Sequence, residues 1–189
     1  MTIHLWRIMK RSFQSGFSTP EVLLSIFVVS IGLVTIIAVM SGSIRYSFVN
    51  QDIVIATDLA QEGIELVRNV RDNDFASGGT GFTSFSNNKH CRIDWNDASG
   101  SLDCQAAQGA ASRYYLQYAS GMYAHLGTGQ ERYTRYIYVD YSSVGGERAS
   151  VRSFVVWGGG ALPPSNGNPA TCTLANSCVY SEAFFTAWK

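Results

Sequence analysis

The chain has 189 residues, with 14 basic and 14 acidic side chains and a formal charge of zero; 46% of it is hydrophobic and 15% charged. That length accommodates one ordinary domain plus a long terminal element and leaves two independent domains cramped. The even charge balance excludes bulk electrostatic attraction to nucleic acid or anionic lipid, so any such binding needs a local patch.

The first residues are basic. Arg7, Lys10 and Arg11 precede any acid, and the first acid is Glu21. The positive-inside rule therefore predicts a cytoplasmic N-terminus. From Val22 to Ile44 the sequence VLLSIFVVSIGLVTIIAVMSGSI carries no charge. As a helix at ~1.5 Å per residue it is roughly 34 Å long, which matches a hydrocarbon core of about 30 Å. A cleaved secretory signal, with Ser41, Gly42 and Ser43 at its cleavage site, is the competing reading. It needs an apolar region well beyond the usual length of about 7 to 15 residues.

Between Glu21 and Leu162 there is no proline. Beyond the uncharged run, Ile44, Phe48, Ile55, Leu59, Leu66 and Val70 form a stripe of helical spacing. One helix is expected from near Thr19 to about Arg71, apolar all round in its first half and one-sided in its second, where the stripe packs on a sheet. Asp72, Asn73 and Asp74, followed by Ser77, Gly78, Gly79 and Gly81, are expected to stop it and open a loop to about Asn88.

Strand character follows. Arg132 to Tyr141 and Ala149 to Trp157 read as an antiparallel hairpin, with Ile137, Val139 and Tyr141 on one face and Val151, Val155 and Trp157 at matching parity. Tyr114 to Ala119 and Cys91 to Trp95 are further candidate strands, Gly158 to Pro169 is a turn-rich loop, and an apolar segment from Val179 to Trp188 closes the chain. The fold class is α+β: a long N-terminal helix on a small antiparallel sheet. The expected divisions are 1–16, 17–71 and 72–189.

Cys91, Cys104, Cys172 and Cys178 all follow the apolar run, on the side where an exported chain meets an oxidising compartment. An even count fits two disulfides. Three connectivities are open, and Cys91 with Cys104 and Cys172 with Cys178 are favoured because each pair closes a short loop. A four-cysteine zinc site is the competing arrangement and lacks a close CxxC pair.

The start of the apolar run carries the functional signal: Lys10 and Arg11, then Gly16, Phe17, Ser18, Thr19, Pro20, Glu21 and the uncharged stretch. A peptidase at the cytoplasmic membrane face needs a small residue before its bond, which Gly16 supplies. A helix kept after cleavage must begin at the cut. This layout resembles the class III signal of type IV prepilins and pseudopilins. The resemblance implies cleavage between Gly16 and Phe17 by a prepilin peptidase, N-methylation of Phe17, and a role for Glu21 in meeting the N-terminal amine of another subunit during filament assembly. It also implies other pilin subunits and the pilus assembly machinery as partners, with membrane lipid as the environment before assembly. The string Glu21, Val22, Leu23, Leu24 followed by Ile31, Gly32 and Leu33 is closer to minor pilins and pseudopilins than to major pilins. Pro20 departs from the aliphatic residue common there, though a first helical turn tolerates proline. The stretch from Ala60 to Asp72 also resembles pilin-like proteins of small-genome bacteria. An acid at the edge of hydrocarbon is costly and is a functional candidate on that ground alone; the bland alternative is an interfacial glutamate favoured by the helix dipole.

No catalytic constellation stands out, and no cofactor or metal is expected. His4, His90 and His125 are scattered, and Gly78, Gly79 and Gly81 lack the lysine of a phosphate loop. Asp72 with Asp74, and Asp94 with Asn96 and Asp97, are fragments of calcium-loop spacing without the remaining ligands. The head is rich in tyrosine and arginine, which can stack and pair with DNA or glycans but equally suits a plain sheet. The leading expectation is a filament subunit with a surface-exposed head. The alternative is a membrane-tethered extracellular binding protein that never polymerises.

Overall fold

The computed structural model describes residues 16, 18–85, 89–95, 97, 102–126, 131–143 and 147–187. Arg7, Lys10, Arg11 and Phe17, together with His4, Asn96 and Trp188, lie outside them. The chain divides into two compact units, Met1–Ser47 and Phe48–Lys189. One helix, α1 (Thr19–Ala76), crosses the division, and an antiparallel sheet follows it, so the architecture is α+β.

In the first unit every large apolar side chain of α1 is exposed, from Val22 through Ile44. The glycines there, Gly32 and Gly42, have nothing within 4 Å of where a Cβ would stand. This segment is long and apolar enough to cross a membrane.

In the second unit α1 lies on the sheet. Its buried residues are Ala56, Leu59, Ala60, Gly63, Ile64, Val67, Val70 and Arg71. That row corrects the expected stripe in part: Leu59 and Val70 belong to it, Ile55 and Leu66 are partly buried at its margin, and Ile44 and Phe48 are exposed. The reason is size. Small residues let the helix backbone approach the strands, and a Cβ on Gly63 would collide with Ser153 Oγ. The helix also runs past the expected stop at Arg71. Asp72, Asn73 and Asp74 lie within it, and the terminator is Gly78, whose φ of 86° takes the left-handed conformation that closes a helix end. Asp74 then accepts hydrogen bonds from Gly81 N (2.7 Å), Thr83 N (3.2 Å) and Thr83 Oγ1 (2.9 Å), which folds the following loop back. That loop is part of the core, because Phe82 and Phe85 are buried edge to face at 5.3 Å.

The strands are β1 (His90–Arg92), β2 (Asp103–Gln105), β3 (Tyr115–Ala119), β4 (Met122–Ala124), β5 (Tyr133–Ser142), β6 (Arg148–Trp157) and β7 (Cys178–Thr186). The expected segment Cys91 to Trp95 shortens to β1, and Tyr114 belongs to a 3-10 turn, Ala111–Tyr114, rather than to β3. The central β5–β6 hairpin is paired without a break from Tyr133 opposite Trp157 to Ser142 opposite Arg148. Strand β5 carries β1 and β3 on its other edge, β6 carries β7, and all pairings are antiparallel.

Residues Tyr133 to Val139 of β5 are all buried because both faces of the sheet are covered. On one face Ile137, Val139 and Val151 meet Ile64, Val67 and Val70, while Tyr133, Val155 and Trp157 meet Ala56, Leu59 and Ala60. That is the expected parity. On the other face Tyr114, Tyr136, Tyr138, Phe154 and Val156 pack with Leu162 and Cys172 of the 158–177 connection and with Cys178 of β7. The disulfides are Cys91–Cys104, directly across β1 and β2, and Cys172–Cys178, at the entrance to β7.

Candidate functional site

The helix begins where its chemistry demands. The Ser18 carbonyl accepts from Glu21 N (3.0 Å) and Val22 N (3.3 Å), so Pro20 sits in the first turn, where its missing N–H is not needed. Gly16 stands two residues before that carbonyl with no neighbour within 4 Å of a Cβ position. Glu21 lies in the same first turn, where unsatisfied N–H groups and the helix dipole favour a negative charge. Its carboxylate is exposed and has no hydrogen bond or ion pair among the described residues.

Immediately beyond Glu21 the side chains are fit for hydrocarbon. Four hydroxyls in the uncharged run donate back to the helix: Ser25 to Glu21 O (2.8 Å), Ser30 to Ile26 O (2.7 Å), Thr35 to Gly32 O (2.8 Å) and Ser41 to Ile37 O (2.9 Å). Each is satisfied without water, as lipid requires. Phe27, Ser30, Ile31, Val34 and Thr35 line an open apolar groove of about 270 Å³. A partnerless carboxylate thus caps a lipid-compatible surface.

The head contains a second polar constellation, which the sequence did not reveal. Arg135 of β5 is fully buried on the face under α1, and its Nη2 donates to Ile93 O at 2.8 Å. Glu62 Oε1 of α1 lies 3.2 Å from Arg135 Nη1, an ion pair off the hydrogen-bond direction, and Asp94 Oδ1 lies 3.6 Å from Nη2. Asp94 in turn accepts from His125 N (3.0 Å) and from His125 Nδ1 (2.7 Å). His125 Nε2 lies 3.2 Å from Arg135 O, so both ring nitrogens face oxygen atoms. Burial would raise the Asp94 carboxyl; the bonds and charge of His125, with the charge of Arg135, outweigh it and hold Asp94 below the ordinary carboxylate value. At the top of the head Asp52 of α1 accepts from Arg132 Nε (2.9 Å), Arg132 Nη2 (2.7 Å) and Tyr133 OH (2.8 Å). These clasps tie helix to sheet.

The remaining candidates are spread through the head. His90 is buried, shares a 2.7 Å hydrogen bond with Tyr136 OH and stacks on its ring. Asp97 accepts from Asp94 N at 2.9 Å, and with Asp74 turned to its own loop the acidic fragments serve as turn acceptors. Among the described residues no group of three or more His, Cys, Asp or Glu side chains could hold a metal ion. Tyr114, Tyr133, Tyr136 and Tyr138 are core residues, and Arg92 and Arg113 both hold Asp103 at 2.7 Å. Most of the tyrosine and arginine therefore serves packing and ion pairs. No protein-family model, curated protein or solved structure matches the chain.

Proposed function

We propose that the chain is a subunit of a type IV pilus-like filament, a minor pilin or pseudopilin. In this reading a prepilin peptidase cleaves between Gly16 and Phe17, Phe17 becomes the methylated first residue, and the apolar half of α1 holds the subunit in the cytoplasmic membrane. The N-terminus is then cytoplasmic and the head external, where two disulfides are chemically at home. The assembly machinery extracts the subunit, and neighbouring helices replace lipid around it. The function is structural rather than enzymatic.

The observation that carries this reading is the Glu21 carboxylate, without a partner among the described residues, at the head of an exposed apolar helix. An isolated membrane anchor gains only the helix-dipole stabilisation of about 0.3 to 1 kcal/mol from an acid there, and burying that acid in lipid is costly. An amine on a neighbouring subunit would supply a charge-assisted contact in a low-dielectric setting.

The test has two arms. Intact-mass analysis of the mature protein should show a chain beginning at methylated Phe17, and a cut near Ser43 would reject the reading. Cells carrying Glu21→Ala and Glu21→Gln should keep the protein in the membrane fraction and lose it from sheared surface filaments. Normal filament content in the Ala variant would instead favour a non-polymerising tether.

A further inference from the structure

Strand β7 is paired with β6 through an unbroken register from Cys178 opposite Val156 to Thr186 opposite Arg148. Two bonds just past its ends, Trp157 N to Ser177 O and Ala187 N to Glu147 O, each 3.0 Å, fix the phase of the ladder. Hydrogen-bonded pairs alternate in an antiparallel ladder, so the odd residues of β7 turn their N–H and C=O groups to β6. Tyr180, Glu182, Phe184 and Thr186 turn theirs away. Among the described residues no strand pairs with that side, and these groups have no partner.

The edge also lacks the usual protections. It has no proline, no lysine and no bulge. Its one charge, Glu182, is spent inward, accepting from Arg152 Nε (2.7 Å) and Ser150 Oγ (3.0 Å). Tyr180 is 43% and Phe184 74% exposed on the outer face. Such an edge is a template for another strand.

The row reads the same from either end: aromatic, acid, aromatic, centred on Glu182. We propose that β7 of a second copy of this chain docks antiparallel on this edge, about a two-fold axis through Glu182, and joins the two sheets. Tyr180 then lies opposite Phe184 of the second copy and the reverse, pairs that stabilise adjacent strands. The outward groups of Tyr180, Glu182 and Phe184 close a ladder of hydrogen bonds. Two carboxylates meet at the axis between two Arg152 guanidiniums, a neutral set. Arg152 Nη1 is used by Gly167 O at 3.1 Å, and its Nη2 has no hydrogen-bond partner among the described residues, which leaves a donor for the second carboxylate. The contact is isologous and closed. It does not depend on the filament reading, since it uses no residue of the apolar helix.

The experiment uses the full chain in detergent micelles. Glu182→Cys should form a disulfide-linked dimer, because facing residues of a hydrogen-bonded pair stand about 5.5 Å apart at Cα, within disulfide reach. Phe184→Cys alone should not, and Tyr180→Cys combined with Phe184→Cys should. Light scattering should show a dimer for the unmodified chain and a monomer for Phe184→Pro, whose lost N–H is one that β6 does not use. An unchanged melting temperature confirms that the proline variant is folded. A monomeric unmodified chain with no Glu182→Cys cross-link overturns the proposal. So does a dimer that survives Phe184→Pro, which would place association on the helix, or a cross-link preferring Phe184→Cys alone.

Discussion

Replacing Asp94 by Ala removes the anion beside the buried Arg135 guanidinium and the acceptor of buried His125, and should destabilise the head by about 3 kcal/mol. The Arg135 side chain is 0% and that of His125 1% exposed, and Asp94 itself is 11% exposed. The variant loses the bonds from His125 N and Nδ1 and the 3.6 Å contact with Arg135. Each charged hydrogen bond is worth about 1.5 to 3 kcal/mol, and stranding a buried charge costs about 3 to 5. Glu62 remains 3.2 Å from Arg135 and limits the loss to the lower end of that range. The corresponding fall in melting temperature is on the order of 10 °C. Asp103 supplies the control, because it too holds two cations, Arg92 and Arg113, each at 2.7 Å, but with its side chain 45% exposed. Asp103→Ala should therefore cost less than about 1 kcal/mol. Thermal and urea unfolding followed by circular dichroism measures both. Equal losses in the two variants, or a loss below about 1 kcal/mol for Asp94→Ala, would refute the role assigned to burial.

Gly63→Ala should cost about 1 to 3 kcal/mol despite the better helix propensity of alanine, because its Cβ meets Ser153 Oγ in a filled contact. Adding Ser153→Ala removes the colliding atom, which is buried without a hydrogen bond, and should restore most of the loss in the same melt. Acidification should destabilise the head in two windows. Burial, then the charge of Lys89, hold His90 below its ordinary value, so the unfolded chain takes the proton first and stability falls as pH drops below about 6.5. Asp94 and Asp103 are also depressed; their contribution is full above about pH 4 and is lost below it. In urea titrations across pH, His90→Phe should flatten the upper window and leave the lower one; an unmodified chain already flat through the upper window would contradict this account. Replacing Cys91 and Cys104 together by Ser should lower stability by about 3 kcal/mol, and Cys172 with Cys178 by about 2, following their separations of 13 and 6 residues. A larger loss from the shorter loop would argue against the chain-entropy account.

The parts of the fold that were legible in the sequence are those set by local repetition. The uncharged run, the β5–β6 hairpin and the inward parity of Ile137, Val139, Val151 and Val155 each follow from side-chain period alone. The helix stripe is legible only in part: Leu59 and Val70 are buried and Ile55 and Leu66 pack at its margin, while Ala56, Ala60 and Gly63 carry too little apolar surface to mark the row in sequence. Strand β4 was missed although Ser120 and Gly121, with φ of 53° and 88°, form the two-residue turn that joins it to β3. The Arg135 cluster was out of reach for a different reason. Glu62, Asp94, His125 and Arg135 come from separate segments, and only the folded sheet brings them together.

Two sets of polar side chains in this chain close on the molecule itself. In the apolar half of α1, Ser25, Ser30, Thr35 and Ser41 return their hydroxyl protons to the helix. In the head, Asp94 accepts from His125, Asp103 holds Arg92 and Arg113, and Asp52 holds Arg132. Those side chains are paired within the single molecule. Glu21 is not: it stands beside a surface made for hydrocarbon and takes no partner from the described residues. In lipid such a carboxylate either stays at the interface or finds a cation from another molecule. A helix whose Ser25, Ser30, Thr35 and Ser41 hydroxyls are already bonded to it can exchange lipid for neighbouring helices at little cost, since both are apolar. On the proposed filament reading, the carboxylate is then the group, among the described residues of the apolar half, whose free energy changes most between the two settings, and so the one that would distinguish assembly from mere insertion.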